Sequence, residues 1–148
     1  MPETQIVLGF DVSLNRVGVA IGNLITRDAR PLLQLNSRDK HQRFVEIEQL
    51  IRQWEPQTLV VGVPSHPDGE PLPNTGFCLR FANQLRGRFA KPVVEINENY
   101  SSAAARAGDQ VVERAGRQRR AQHRGDDWLD AYAAVQILEQ YLNNILTR

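Results

Sequence analysis

The connections between the first three apolar segments constrain the fold of this chain more than any other feature of its sequence. These segments cover residues 6–10, 17–21 and 31–35, and each has the length of a β-strand. The links between them are too short to hold the helix that a parallel crossover requires. We therefore expect three antiparallel strands that follow one another as a meander.

Three helices are indicated by apolar residues that recur at three- and four-residue steps. They are expected over residues 38–54, 75–89 and 126–146, and the last has the most regular apolar stripe. Asn36 or Ser37 is the expected N-cap of the first helix, because either side chain can accept a hydrogen bond from the backbone of the first turn.

Two further strands, residues 59–63 and 93–96, alternate with these helices along the chain. Because a helix comes before each of them, these strands should run parallel and be joined by right-handed crossovers. The sequence therefore predicts an α/β fold with one mixed five-stranded sheet, in which three antiparallel strands are followed by parallel strands, and with helices on both faces. A single domain is expected over residues 1–148.

Composition and charge exclude several classes of protein. The formal net charge of +1 over 148 residues excludes a strongly basic nucleic-acid coat protein. Cys78 is the only cysteine, so the chain can form neither an internal disulfide nor a thiolate metal cluster, and we expect this side chain to be buried. No apolar run has the length of a membrane span and the first residues do not resemble a secretory signal, so we expect a cytoplasmic protein.

A basic loop is predicted ahead of the last helix. A short helical piece is expected at residues 101–107, and residues 108–125 then lack a sustained apolar period. The arginines of this loop are Arg114, Arg117, Arg119, Arg120 and Arg124. They suit a flexible loop that clamps a phosphate backbone, and a solvated surface loop without a ligand is the alternative.

Acidic side chains stand at one predicted edge of the sheet. Asp11 closes the first strand, Glu98 lies just past the fifth, and Asp130 lies in the first turns of the last helix, three residues after Asp127. Converging carboxylates repel one another without a cation, and an all-oxygen ligand set suits Mg²⁺ or Mn²⁺. Two such ions can promote phosphodiester hydrolysis. From spacing alone, two alternatives stay open: Asp11 as a turn residue and Asp127 as a helix cap.

Four motifs, spread over nearly the whole chain, resemble those of the YqgF/RuvX family in order and spacing. They are residues 9–22, residues 60–64 with Asp68 and Gly69, Glu98 with Ser101, Ser102 and Ala104, and residues 130–138 with Tyr141 and Leu142. Each motif alone is a weak signal, but the set is specific.

The resemblance implies a ribonuclease H-like fold and a nuclease that depends on a divalent metal, Mg²⁺ or Mn²⁺, with two ions expected. Carried over by position, Asp11, Glu98 and Asp130 match the metal-binding acids of the family and are the expected catalytic residues. The implied substrate is RNA, at the 5′ end of pre-16S rRNA, and a Holliday junction in DNA is the alternative. The sequence indicates no dimer interface, so we expect a monomer or a weak homodimer. This favours RNA, because resolving a junction takes two sites.

Other positions are expected to contact the nucleic acid. Ser13 stands where the family usually has glycine, and its hydroxyl can donate a hydrogen bond to a phosphate. The full expected set is Ser13, Arg16, Asn99, Ser101, Ser102, Arg117, Arg119 and Arg120.

The chain departs from the family pattern around Glu98. The family usually has Asp-Glu-Arg where this sequence has Asn97, Glu98 and Asn99. Losing the Asp removes a potential charge near the predicted metal, and losing the Arg removes a planar, bidentate phosphate ligand. These changes keep a third hypothesis open, namely a non-catalytic nucleic-acid-binding or ribosome-associated module.

Overall fold

The predicted meander and the predicted parallel strands form one mixed sheet. A computed structural model of the chain describes residues 5–13, 15–36, 39–65, 68–99 and 126–146. Its strands are β1 (Ile6–Val12), β2 (Val17–Asn23), β3 (Ala29–Leu35), β4 (Thr58–Ser65) and β5 (Val93–Asn99). Its helices are α1 (Lys40–Trp54), α2 (Thr75–Phe89) and α3 (Asp126–Leu146).

The strand order across the sheet is β3-β2-β1-β4-β5. The β1–β2 and β2–β3 pairs are antiparallel, and the β1–β4 and β4–β5 pairs are parallel. The prediction of three antiparallel strands followed by parallel strands is therefore confirmed. The carboxyl ends of β1, β4 and β5 share one edge of the sheet, and this arrangement positions the candidate site.

Alternation along the strands divides the core into two layers. On β1, Leu8 and Phe10 pack with the buried side chains of α1 and α2, whereas Val7 packs with Ile137 and Leu138 of α3. Helices therefore cover both faces of the sheet, as predicted. Cys78 is 1% exposed within the first layer, which confirms its predicted burial.

The first helix begins later than predicted. The N-cap is Asp39, whose carboxylate accepts a hydrogen bond from the backbone N–H of His41 at 3.0 Å, and the helix starts at Lys40. The prediction of Asn36 or Ser37 as the cap was therefore wrong. Asp, Asn and Ser are similarly good caps, so composition alone does not choose among neighbouring candidates.

Four strands, β1, β2, β4 and β5, extend beyond their predicted ends, and the extensions of β1 and β5 concern the acids. β1 continues through Asp11 because Val12 still pairs with Val17, and β5 includes Glu98 because β4 pairs with it as far as Asn99. Glu98 thus lies inside a strand rather than just past it.

The predicted helical piece at residues 101–107 and the predicted basic loop at residues 108–125 lie outside the described residues, and the single-domain organisation stays a prediction. No helix in the described part of the chain has both the length and the apolar character needed to cross a membrane.

Candidate active site

Asp11 lies on β1 on the face of the sheet that α3 covers. Its cross-strand partner on β2 is Gly18, where the backbone of α3 approaches the sheet most closely: a Cβ at Gly18 would overlap with the carbonyl oxygen of Asp130. Only a residue without a side chain permits this approach. Gly18 therefore brings the first turns of α3, and with them Asp130, next to Asp11.

Glu98 reaches the same place from the other side of β1. Its strand, β5, is separated from β1 by β4, and Gly62 of β4 leaves room for the side chain: a Cβ at Gly62 would overlap with Oε1 of Glu98. The Glu98 carboxylate consequently lies over β4 on the α3 face. The three predicted acids therefore reach this face of the sheet from three elements.

The electrostatics of Asp11 reflect this arrangement. Burial, followed by the charges of Glu98 and Asp130, raises the pKa of Asp11 from 3.8 to about 7. A turn-forming aspartate at a strand end gains hydrogen bonds and has no reason for such a shift. Perturbed acids in a cleft are typical of functional sites.

The turn after β1 is made by other residues. The hydroxyl of Ser13 donates to the carbonyl oxygen of Arg16 at 3.1 Å and accepts from the Arg16 backbone N–H at 3.2 Å. The Ser13 hydroxyl thus shapes the turn, and its expected contact with a phosphate stays a prediction. Arg16 is exposed beside it, at the edge of the sheet where Asp11 lies.

The donor set fits a hard cation. The carboxylates of Asp11, Glu98 and Asp130 supply only oxygen ligands, and a cation would offset the repulsion that raises the pKa of Asp11. Within the described ranges, no three His, Cys, Asp or Glu side chains are gathered closely enough to hold a metal ion together. A bound ion would therefore draw these carboxylates closer to one another.

A cleft of about 340 Å³ opens at the acids. Its lining residues are Asp11, Val12, Pro64, Leu72, Pro73, Asn74 and Glu98. Asn74, the N-cap of α2, donates from Nδ2 to the carbonyl oxygen of Val12 at 3.3 Å, and the Thr75 hydroxyl donates to the carbonyl oxygen of Pro64. The first turn of α2 is thereby fixed to the ends of β1 and β4.

The position of Asn74 in the lining of the cleft was not predicted from the sequence. Its position ahead of Thr75, at the end of a proline-rich loop, was the available signal for a helix cap, but not for a cleft residue. The close approaches at Gly18 and Gly62 were likewise missed.

Asn97 lies on the opposite face of the sheet from the acids. Its Oδ1 accepts a hydrogen bond from the hydroxyl of Ser65 at 2.6 Å, and on the same face its strand neighbour Glu95 pairs with Arg86 of α2. The expectation that Asn97 removes a charge near the metal was therefore wrong, because alternation along β5 turns positions 97 and 98 to different faces.

Several predicted residues lie outside what the structure describes. The backbone of Asn99 is part of β5 and that of Asp127 part of α3, but the description does not extend to their side chains. The other residues in this group are Ser101, Ser102, Arg117, Arg119 and Arg120. Asp127 as a metal ligand and the nucleic-acid contacts expected of the other residues stay predictions.

Cys78 lies directly behind the site. Its Sγ is 3.7 Å from the carbonyl oxygen of Val12, and burial, followed by the charges of Asp11 and Glu98, raises its pKa to about 12. Cys78 is therefore a neutral packing residue in the wall below the acids.

Comparisons with known proteins agree on one family. A family model described as "RuvX: Holliday junction resolvase" matches residues 5–144. A protein of Paraburkholderia phymatum is 46% identical over 139 residues, covering 94% of this chain and 85% of its own length, and is named "Putative pre-16S rRNA nuclease". A Burkholderia mallei protein of the same name is 45% identical over 141 residues, covering 94% of this chain and 88% of its own.

Solved structures show the same fold at low sequence identity. T. thermophilus RuvC in complex with a Holliday junction substrate matches with a TM-score of 0.58 and 11% identity, covering 96% of both chains. The fowlpox virus Holliday junction resolvase matches with a TM-score of 0.56 and 12% identity, covering 95% of this chain and 99% of its own. At these identities the likeness extends to the fold alone.

Proposed function

The chain belongs to the RuvX family and has a ribonuclease H-like fold, and on this basis we propose that it is a divalent-metal-dependent nuclease that processes the 5′ end of pre-16S rRNA in the cytoplasm. The observation that carries this proposal is the partly buried Asp11, which shares one face of the sheet with Glu98 and Asp130 and has a pKa raised to about 7. Such a group of acids suits metal-assisted hydrolysis of a phosphodiester.

Asp11, Glu98 and Asp130 would hold one or two Mg²⁺ or Mn²⁺ ions, and Asp127 is a further candidate ligand from the same helix. The chemistry that bound ions supply is activation of a water molecule and stabilisation of the leaving oxygen. The protein contributes three carboxyl groups on one face of the sheet, close approach at two glycines and a cleft beside the acids. Because Asp11 must lose its proton to bind a cation, cation affinity is expected to fall as pH drops below about 7.

The choice of RNA over a DNA junction rests on the strength of the two likenesses. The relatives named as pre-16S rRNA nucleases are 45–46% identical over nearly the whole chain, whereas the junction-bound structure is 11% identical. Junction cleavage is nevertheless part of the family description, and it is the competing activity that the experiment must separate.

The hypothesis of a non-catalytic binding module is the less favoured one. A site that had lost its chemistry would have no reason to retain three mutually repelling acids at the cost of a buried charge. Of the two departures that supported that hypothesis, Asn97 concerns the other face of the sheet, and the side chain of Asn99 lies outside what the structure describes.

The test is cleavage of an end-labelled RNA that spans the 5′ leader and the mature start of the small-subunit rRNA. Wild type, Asp11→Asn and the control Glu139→Gln, at an exposed acid of α3, would each be assayed with Mn²⁺, with Mg²⁺ and with chelator. The proposal expects metal-dependent cleavage by wild type and Glu139→Gln and none by Asp11→Asn. RNA binding without cleavage by all three would favour the binding module, and faster cleavage of a four-way DNA junction would favour the resolvase.

A further inference from the structure

A groove of about 190 Å³ separates α1 from α2 on the face of the sheet opposite the acids. Its cationic lining residues are Lys40, Arg43 and Arg80, and its aromatic lining residues are Phe44, Phe77 and Phe81. None of the residues that line it is acidic. A groove that combines positive charge with aromatic rings has the composition of a site for single-stranded nucleic acid.

The cationic side chains differ in burial and in their contacts. Arg43 is 4% exposed, and its Nη1 lies 3.4 Å from the carbonyl oxygen of Ser13, so it forms the floor of the groove. Lys40 and Arg80 are exposed, and neither makes a hydrogen bond or an ion pair with another described residue. These two charges are available to a ligand. By contrast, Arg52, further along α1, pairs with Glu48 at 2.9 Å.

The aromatic side chains differ in a similar way. Phe44 and Phe81 are each 3% exposed and stack on one another with ring centroids 5.6 Å apart, so they belong to the core. Phe77 is only partly buried and packs against the edge of that core. It is therefore the ring that can offer a face to a base.

The groove and the cleft of the active site flank the same helical turn. Asn74, at the start of α2, lines the cleft, and Phe77, three residues later, lines the groove. On the other side, Arg43 contacts Ser13, two residues after Asp11. The first turn of α2 therefore lies between the cleft and the groove.

We propose that the groove between α1 and α2 binds the single-stranded RNA that flanks the cut, with backbone phosphates on Lys40 and Arg80 and a base against Phe77. The position beside the cut rests on the proposed nuclease function. The binding itself rests only on the shape, charge and aromatic lining of the groove. Phosphate contacts set the path of the strand and carry no information about its sequence.

The test measures binding of a fluorescein-labelled 12-nucleotide single-stranded RNA by anisotropy, in chelator, over a range of salt concentrations. For Lys40→Gln/Arg80→Gln, the loss of two phosphate contacts should lower the slope of log affinity against log salt by about 1.4 and weaken binding about twentyfold at 0.1 M salt. Phe77→Leu keeps apolar volume and should weaken binding about tenfold with the slope unchanged. The control Arg52→Gln, at an exposed arginine of α1, should bind as wild type does.

The proposal would be overturned by unchanged RNA affinity in the double variant and in Phe77→Leu, or by an equal loss in Arg52→Gln. Equal affinity for a polyglutamate peptide of matched charge would also overturn it, since the groove would then bind acidic chains in general. Thermal unfolding of each variant verifies that the fold persists. Cleavage by wild type is measured in parallel. If the groove binds RNA but the protein does not cut it, the proposed nuclease function is refuted and the proposed RNA binding by the groove is supported.

Discussion

At the scale of single residues, the state of Asp11 connects the stability of this protein to its chemistry. A carboxylate loses hydration when it is buried, and at Asp11 the charges of Glu98 and Asp130 add to that penalty. Evolution ordinarily removes such a residue from a structural position, because an apolar or amide side chain would stabilise the fold more. Its presence fits the proposed cation site, where a negative charge would be useful.

We predict that Asp11→Asn stabilises the metal-free protein in a pH-dependent way. The folded-state pKa of Asp11 is about 7 and its ordinary value is 3.8, so between these values the folded state holds more protons and wild type loses stability as pH rises. The variant lacks this loss and should gain up to about 4 kcal/mol over wild type at pH 8, with no gain near pH 4. Urea unfolding in chelator measures the difference in free energy of unfolding between the two proteins. A stability gain that does not depend on pH would show that the raised pKa of Asp11 is not its cause.

We also predict that Asn97→Asp leaves cleavage within about twofold of wild type, because an acid there can accept the same hydrogen bond from Ser65 on the face away from Asp11. Glu98→Gln, one residue along, should remove several kcal/mol of transition-state stabilisation, which is at least about a hundredfold in rate. Initial rates of RNA cleavage compare the two. Similar losses of cleavage rate in both variants would show that position 97 acts together with the acids.

Among the elements, apolar patterns in the sequence predicted the strands and the helices, because such patterns report which face of an element is buried. Phe81 of α2 and Leu138 of α3, which lie on these apolar stripes, are both in the core. Periodicity does not report how near two elements come, so it missed the contact of α3 with β2 at Gly18. That distance depends on the absence of a side chain at one position, and a glycine in a strand is read first as a weak point or a bulge.

We predict that Gly18→Ala impairs both stability and cleavage. The added Cβ would overlap with the backbone of Asp130 and of Ala131, which cannot rotate away as a side chain can, so α3 must shift. Overpacking of this kind costs about 1–3 kcal/mol, and the shift moves Asp130 away from Asp11. Chemical unfolding and cleavage rates check both effects.

Gly87→Ala is the matched control for this variant. Gly87 lies within α2, and an added Cβ there meets no atom within 4 Å. Alanine should raise helix stability by up to about 1 kcal/mol and leave cleavage unchanged. If Gly18→Ala behaved as Gly87→Ala does, the close approach of α3 would not be what positions Asp130.

Across the protein as a whole, the two faces of the sheet carry different candidate sites. The acids lie on the α3 face, and the basic groove lies on the α1 and α2 face, with the first turn of α2 between them. The placement of Asp11 and Glu98 at one edge of the sheet was predictable, because both lie near the carboxyl ends of parallel strands and these ends share one edge. The groove was not predictable, because Lys40 and Arg80 are far apart in sequence and become neighbours only when α1 and α2 pack side by side.

We predict that the protein is a monomer in solution. The large apolar side chains exposed in the described part of the protein are Ile25, Leu79, Tyr132 and Ile145. They lie singly on the β2–β3 turn and α2 and as two residues on α3, whereas a stable homodimer usually buries a larger apolar surface. We therefore expect light scattering at micromolar concentration to give the monomer mass of 16.8 kDa.

A monomer carries one site and cuts one strand at a time, which suits trimming of an rRNA end, whereas symmetric resolution of a four-way junction needs two sites related by a twofold axis. A dimer that persists at low micromolar concentration would contradict this prediction. If that dimer also cut a junction at two symmetric positions, the resolvase would replace the rRNA nuclease as the better account of the same three acids. If the dimer cut only the rRNA precursor, the two sites would act independently and the assignment of substrate would stand.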